Sequence, residues 1–117
     1  MDLIAKLKEY AKNKSILIVE DDEIIRNTTK DLLGYIFSSI DIAENGKQGL
    51  EKYNKRSYDL IITDLMMPVL NGVEMISKIK KINPRQSIIV ISGNDDAESL
   101  IEIINSGIDN FILKPFN

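Results

Sequence analysis

Hydrophobic residues along the chain fall into short continuous runs that are separated by longer periodic segments. Four runs are unbroken and rich in β-branched residues, which is typical of central strands in a parallel sheet that are buried on both faces. These runs cover residues 15–19, 60–62, 88–91 and 111–113. A fifth segment, residues 38–43, alternates apolar and polar positions and predicts an edge strand with one solvent-exposed face.

The segments between these strands carry apolar residues every three and four positions, which predicts amphipathic helices. The helical patterns begin near Ile24, Leu50, Val73 and Leu100. Strands that alternate with helices form βαβ units with right-handed crossovers. The pattern therefore predicts an α/β fold with a parallel sheet and helices on both faces.

The two ends of the chain depart from this alternation. Residues 2–12 predict an extra amphipathic helix, so we divide the chain into a helical extension, 1–14, and one domain, 15–117. Only four residues follow Leu113, and we expect the sheet to lack a last helix on one face. We hypothesise that the N-terminal helix covers this face, in the same chain or in a partner; the alternative is that it packs elsewhere or frays. Its apolar stripe is Leu3, Ile4, Leu7, Tyr10 and Ala11.

Composition narrows the chemistry that is available to this fold. A chain of 117 residues makes one domain of ordinary size. It has no Cys and no His, which excludes disulfides, thiolate metal sites, Ser-His-Asp catalysis and a histidine phosphoacceptor. No Gly-rich nucleotide-binding loop follows a strand. Any chemistry must therefore use carboxylates, hydroxyls, lysine or the backbone.

The charge distribution argues against nucleic-acid binding. The formal net charge is −3, and residues 1–14 carry four lysines against two acidic residues, so the rest of the chain carries −5. A phosphate-backbone binder normally shows a basic face. No apolar run reaches the roughly 18 residues of a membrane span, and we expect a soluble, cytoplasmic protein. A basic N-terminal helix that touches a membrane surface is the less favoured alternative.

Polar residues follow the ends of four predicted strands. Ligands bind outside the carboxyl ends of the strands in open α/β sheets, so these residues are candidates for one site. They are Glu20, Asp21 and Asp22, then Asp64, then Ser92, Gly93 and Asn94, and then Lys114. Neighbouring carboxylates repel one another, and a divalent cation such as Mg²⁺ relieves this repulsion. A carboxylate also attacks phosphorus to give an aspartyl-phosphate, whose charge Lys114 and Mg²⁺ would stabilise.

Each of these residues also has a purely structural explanation. Asp22 precedes a helical pattern and is suited to cap that helix. Ser92 lies before a glycine and suits a turn, and Lys114 suits a solvated surface. The coincidence of such residues at four strand ends, rather than any single one, favours a functional site.

Four motifs resemble the response-regulator receiver domain of two-component signalling. They are Ile16-Leu17-Ile18-Val19-Glu20-Asp21-Asp22, Asp64-Leu65-Met66-Met67-Pro68 with Asn71-Gly72, Ile91-Ser92-Gly93, and Lys114-Pro115-Phe116. The resemblance covers residues 15–117. It implies a flavodoxin-like, doubly wound sheet of five parallel strands in the order 2-1-3-4-5.

The resemblance also implies roles for individual residues. Asp64 matches the phosphoacceptor. Asp21 and Asp22 match the acidic pair that positions Mg²⁺, with further oxygens from Asp64 and the backbone carbonyl of Met66. Ser92 and Lys114 match the hydroxyl and ammonium that contact the phosphoryl group. Ser92 and Phe111 match the switch positions, although a core aromatic is an equal explanation of Phe111.

By this resemblance the chain is a phospho-accepting switch and not a turnover enzyme. The implied partners are a histidine kinase or phosphotransfer protein, a downstream effector or output domain, and a second copy of the chain in a homodimer. The alternative is a pseudo-receiver that binds a partner without phosphorylation. A Mg²⁺-dependent phosphatase is disfavoured because Met66 occupies the position of its general acid, and a flavin carrier because the acidic rim would repel the flavin phosphate.

Overall fold

The described part of the chain contains nine elements of secondary structure. The structure is a computed structural model that describes residues 2–64, 70–92 and 110–113, with the backbone alone for residues 92 and 110–113. The elements are α1 (Leu3–Ala11), β1 (Ser15–Val19), α2 (Glu23–Leu33), β2 (Ser39–Ala43), α3 (Gly46–Lys55), β3 (Leu60–Thr63), α4 (Gly72–Ile82), β4 (Ser87–Ser92) and β5 (Asn110–Leu113).

The strands form one parallel sheet in the order β2-β1-β3-β4-β5. This confirms the predicted fold class and strand order. In the register of the sheet, Val19 at the end of β1 lies between Ala43 of β2 and Thr63 of β3. Thr63 in turn pairs with Val90 of β4. The carboxyl ends of these four strands therefore lie at one edge.

The two faces of the sheet are buried to different degrees. On one face, strand residues such as Leu17, Ile61 and Ile88 are fully buried against α3 and α4. On the other face, Ile16 and Ile18 pack with residues that include Leu33 of α2 and the half-buried Leu60, Ile89 and Ile91. Among the described residues, this second face is therefore less completely buried than the first.

Side-chain caps fix where the described helices begin. Each helix starts after an Asp or Asn whose side-chain oxygen accepts a hydrogen bond from the backbone N–H three residues later, which satisfies an otherwise unpaired donor. The caps are Asp2, Asp22, Asn45 and Asn71.

Helix α1 leaves most of its apolar stripe exposed. Leu3 and Tyr10 are each 71% exposed and Ile4 is 59% exposed, whereas Ala11 is fully buried. The hypothesis that α1 covers the second sheet face of its own chain is therefore not what the structure shows. The expected lack of a last helix concerns residues 114–117, which lie outside the described residues. None of the described helices has the length and hydrophobicity that crossing a bilayer requires.

Candidate functional site

Two strand ends bring acidic residues together. The backbone N–H of Asp64 donates to the carbonyl oxygen of Val19 over 3.0 Å. The N–H of Glu20 donates to the carbonyl oxygen of Ala43, also over 3.0 Å. These bonds continue the parallel ladder one residue beyond β3 and β1. As a result, the first residue after each of these two neighbouring strands is a carboxylate.

Three carboxylates form a compact group at this edge. Glu20, Asp21 and Asp64 each offer one oxygen, and these oxygens lie within 4.8 Å of one another. Glu20 and Asp64 are only 5% and 7% exposed, whereas Asp21 is exposed. Like charges at this spacing repel one another, most strongly where burial excludes water. The group therefore suits a hard divalent cation, and its oxygen donors fit Mg²⁺.

The group of carboxylates in the structure differs by one residue from the acidic pair that the sequence predicts to hold Mg²⁺. Asp22 does not join the group of three oxygens. Its carboxylate accepts the N–H of Ile25 over 3.0 Å and caps α2, while its own N–H donates to Oε2 of Glu20 over 3.3 Å. The pair next to Asp64 is thus Glu20 and Asp21, because the chain turns into the helix at Asp22. A usable signal was present: Glu20 is the first residue after its strand, as Asp64 is after β3.

The loop that follows Asp64 is anchored at its far end. The N–H of Gly46 donates to the carbonyl oxygen of Leu70 over 3.1 Å. A Cβ at position 46 would lie 2.3 Å from this oxygen, so the close approach requires glycine. Asn71 then caps α4 through the N–H of Glu74, over 2.9 Å. Residues 65–69, with the predicted ligand Met66, lie outside the described residues.

Comparison with known proteins identifies the family. The chain matches the family model of the response regulator receiver domain over residues 16–117. The chain belongs to this family. It is therefore a receiver domain of two-component signalling, as its motifs predict.

Several chemotaxis proteins resemble this receiver domain along most of their length. It is 38% identical to the chemotaxis protein CheY of Thermotoga maritima over 106 residues, which cover 88% of this chain and 87% of the relative. It is 34% identical to CheY of Halobacterium salinarum over 103 residues, which cover 88% and 86%.

Solved structures share the fold. The N-terminal domain of an uncharacterized protein from Wolinella succinogenes superposes with a TM-score of 0.84 at 34% identity, covering 89% of this chain and 84% of that one. The response regulator protein TrrA of Thermotoga maritima, solved in complex with Mg²⁺-BeF, gives a TM-score of 0.78 at 33% identity, covering 89% of each chain.

The remaining predicted site residues of the receiver domain are described in part or not at all. Ser92 ends β4 and pairs with Leu113, two residues beyond the Val90–Thr63 pair, so its backbone lies at the same edge as Asp64. Phe111 lies in β5 and pairs with Val90. Their side chains, and the whole of Lys114, lie outside the described residues.

Proposed function

We propose that this receiver domain is a phospho-accepting switch that takes a phosphoryl group from a histidine kinase, or from a phosphotransfer protein, onto Asp64. The observation that carries the proposal is the group of carboxylate oxygens from Glu20, Asp21 and Asp64 within 4.8 Å. In this proposal the three carboxylates, with the backbone carbonyl of Met66, hold Mg²⁺. Asp22 is left out of the metal site because its carboxylate caps α2.

Asp64 is suited to the role of nucleophile. Its N–H is held by Val19, which fixes the backbone from which the carboxylate projects. One carboxylate oxygen attacks phosphorus, the bond from phosphorus to the donor nitrogen breaks, and an acyl phosphate forms on Asp64. When bound, Mg²⁺ offsets negative charge on the carboxylates and on the phosphoryl oxygens. The hydroxyl of Ser92 and the ammonium of Lys114 are proposed to contact the phosphoryl oxygens.

In this proposal, phosphorylation changes the surface of the domain that a partner recognises. The phosphoryl group adds about two negative charges and strong acceptor oxygens at the end of β3. We propose that it draws Ser92 towards Asp64 and that Phe111 changes position in response. The protein then populates a second conformation whose surface an effector or output domain recognises.

Further expectations about the protein stay predictions. They include the absence of turnover activity and of nucleic-acid binding, and a cytoplasmic location without membrane contact. Formation of a homodimer also stays a prediction. Measuring the molecular mass of the protein in solution tests it.

Intact-mass measurement after incubation with acetyl phosphate tests the proposal. We expect a gain of one phosphoryl group that requires Mg²⁺ and is lost in Asp64→Asn. The exposed Asp31 of α2 supplies a matched control, since Asp31→Asn removes the same charge away from the strand ends. If the wild type gained no mass and bound no beryllofluoride, the proposal would fail, and the pseudo-receiver alternative would replace it.

A further inference from the structure

A buried arginine lies behind the acidic group. Arg26, on α2, is only 7% exposed, although arginine is rarely buried without partners. Its guanidinium Nη1 donates to the backbone carbonyl oxygen of Glu20 over 2.9 Å and, more weakly, to that of Asp21 over 3.4 Å. The two residues that it contacts carry two of the three grouped carboxylates. Arg26 therefore contacts the backbone of the candidate metal site.

Arg26 is held at its backbone by the helix, and its guanidinium reaches towards a second loop. Its backbone N–H donates to the carbonyl oxygen of Asp22 over 2.8 Å, in the first turn of α2. Its Nη2 lies 4.0 Å from Oε1 of Glu44, in the loop between β2 and α3. Glu44 is itself tied to α3, because its N–H donates to Oε1 of Gln48 over 3.0 Å. Arg26 thus connects the loop after β1 with the loop after β2.

The burial of Arg26 is not fully compensated. Its Nε has no hydrogen-bond partner among the residues that the structure describes. Glu44 is largely exposed, and an ion pair of that length in contact with water contributes little. Burying a charged group with an unsatisfied donor is costly, so stability alone gives a poor reason for an arginine here. Among the contacts that the structure describes for Arg26, its hydrogen bonds to the carbonyl oxygens of Glu20 and Asp21 remain.

We propose that Arg26 is a positioning residue of the metal site. It holds the backbone of Glu20 and Asp21 so that their carboxylates are already placed beside Asp64 when the cation arrives. Contacts behind metal ligands fix the orientation of those ligands, and their loss typically weakens metal binding about tenfold or more. The inference rests on the proposed function, because it concerns the same site.

The direction in which Mg²⁺ affinity changes distinguishes a positioning role of Arg26 from an effect of its charge. A cation near three carboxylates repels Mg²⁺, so removing the charge of Arg26 without moving the loop would strengthen Mg²⁺ binding. Removing a contact that positions the ligands has the opposite effect and weakens Mg²⁺ binding. Weaker binding in a folded variant is therefore not explained by the lost charge.

The experiment is a Mg²⁺ titration of the full chain, followed by the NMR shifts of the backbone amides of residues 20, 21 and 64. We expect Arg26→Gln to raise the dissociation constant about tenfold. Arg26→Lys keeps a donor that reaches a single carbonyl and is expected to restore part of the affinity. Lys30→Gln removes the same charge from an exposed position one turn further along α2 and is expected to match the wild type.

The possible results lead to different conclusions. Unchanged or tighter Mg²⁺ binding in Arg26→Gln would overturn the positioning role while leaving the metal site intact. If Arg26→Gln does not fold, as judged by its amide spectrum, Arg26→Lys decides. Lysine keeps the positive charge, so a raised dissociation constant for Mg²⁺ supports the positioning role, whereas wild-type affinity overturns it. If the wild type binds no Mg²⁺, the proposed metal site itself fails and the positioning role falls with it.

Discussion

The backbone N–H of Asp64 donates to the carbonyl oxygen of Val19 over 3.0 Å. Because Val19 directly precedes Glu20, this bond places the acid that follows one strand beside the acid that follows its neighbour. Glu20 is fixed in the same way to Ala43 on the other side. The spacing of Glu20 and Asp64 is therefore set by the register of the buried strands.

Substitution of Asp22 and Asp21 is expected to affect different properties. Asp22→Ala removes the cap of α2 and is expected to lower the free energy of unfolding by about 1 kcal/mol, with little change in Mg²⁺ affinity. Asp21→Ala is expected to weaken Mg²⁺ binding with little change in stability, because Asp21 is exposed. Urea denaturation and Mg²⁺ titration measure the two properties. Asp22→Ser retains a capping oxygen and is the control; the reverse assignment of effects would restore Asp22 to the metal site.

Gly46→Ala is expected to destabilise the domain. The added Cβ would lie 2.3 Å from the carbonyl oxygen of Leu70, so either α3 or the end of the loop after Asp64 must move. Such overpacking costs about 2 kcal/mol. Gly34→Ala is the comparison and is expected to cost less, since Gly34 is the exposed C-cap of α2 with helical backbone angles, and its added Cβ would come no closer than 3.2 Å to a backbone oxygen. Equal unfolding free energies for the two variants in urea would contradict the close approach.

The hydrogen bond from Tyr58 to Asp41 is expected to make the stability of the protein depend on pH in the alkaline range. The hydroxyl of Tyr58 donates to Oδ2 of Asp41 over 2.6 Å. Burial, this bond and the negative charge of Asp41 raise the pKa of Tyr58 well above its ordinary value of 10.0, and Arg56 partly opposes the shift. The folded chain therefore keeps this proton at a pH where the unfolded chain loses it. The resulting stabilisation is complete below about pH 10 and is lost as the pH rises further.

The measurement is urea denaturation of the wild type and of Tyr58→Phe at a series of pH values. The stability gap is the difference between their free energies of unfolding. We expect the wild type to be more stable at neutral pH and the gap to narrow above about pH 10. Tyr35→Phe serves as the control because Tyr35 is 73% exposed. A gap that stays constant or widens with pH would contradict the shifted pKa of Tyr58.

The strands and the class of fold were predictable from the sequence for a physical reason. Strands in the middle of a parallel sheet are covered on both faces, so they appear as continuous apolar runs, such as 15–19 and 88–91. The order of the strands is not contained in this pattern. It came from the resemblance of the motifs to the receiver family.

Two other features depended on tertiary structure. Three acidic residues in a row follow β1. The sequence suits Asp22 to a helix cap as well as to the metal site, and the structure decides between these roles by placing Glu20 and Asp21 beside Asp64. The amphipathic pattern of α1 predicts a helix but not its partner, and the structure leaves Leu3 and Tyr10 exposed. Arg26 carried no signal in the sequence, because its role depends on carbonyl groups of a neighbouring loop.

Locating the acyl phosphate within the chain tests the central claim most directly. Borohydride reduces an acyl phosphate to an alcohol, so treatment after incubation with acetyl phosphate and Mg²⁺ marks the acceptor for peptide mapping. We predict a reduced residue at position 64 that is absent when Mg²⁺ is withheld. A reduced residue at Glu20 or Asp21 in place of Asp64, or no reduced residue at all, would contradict the account.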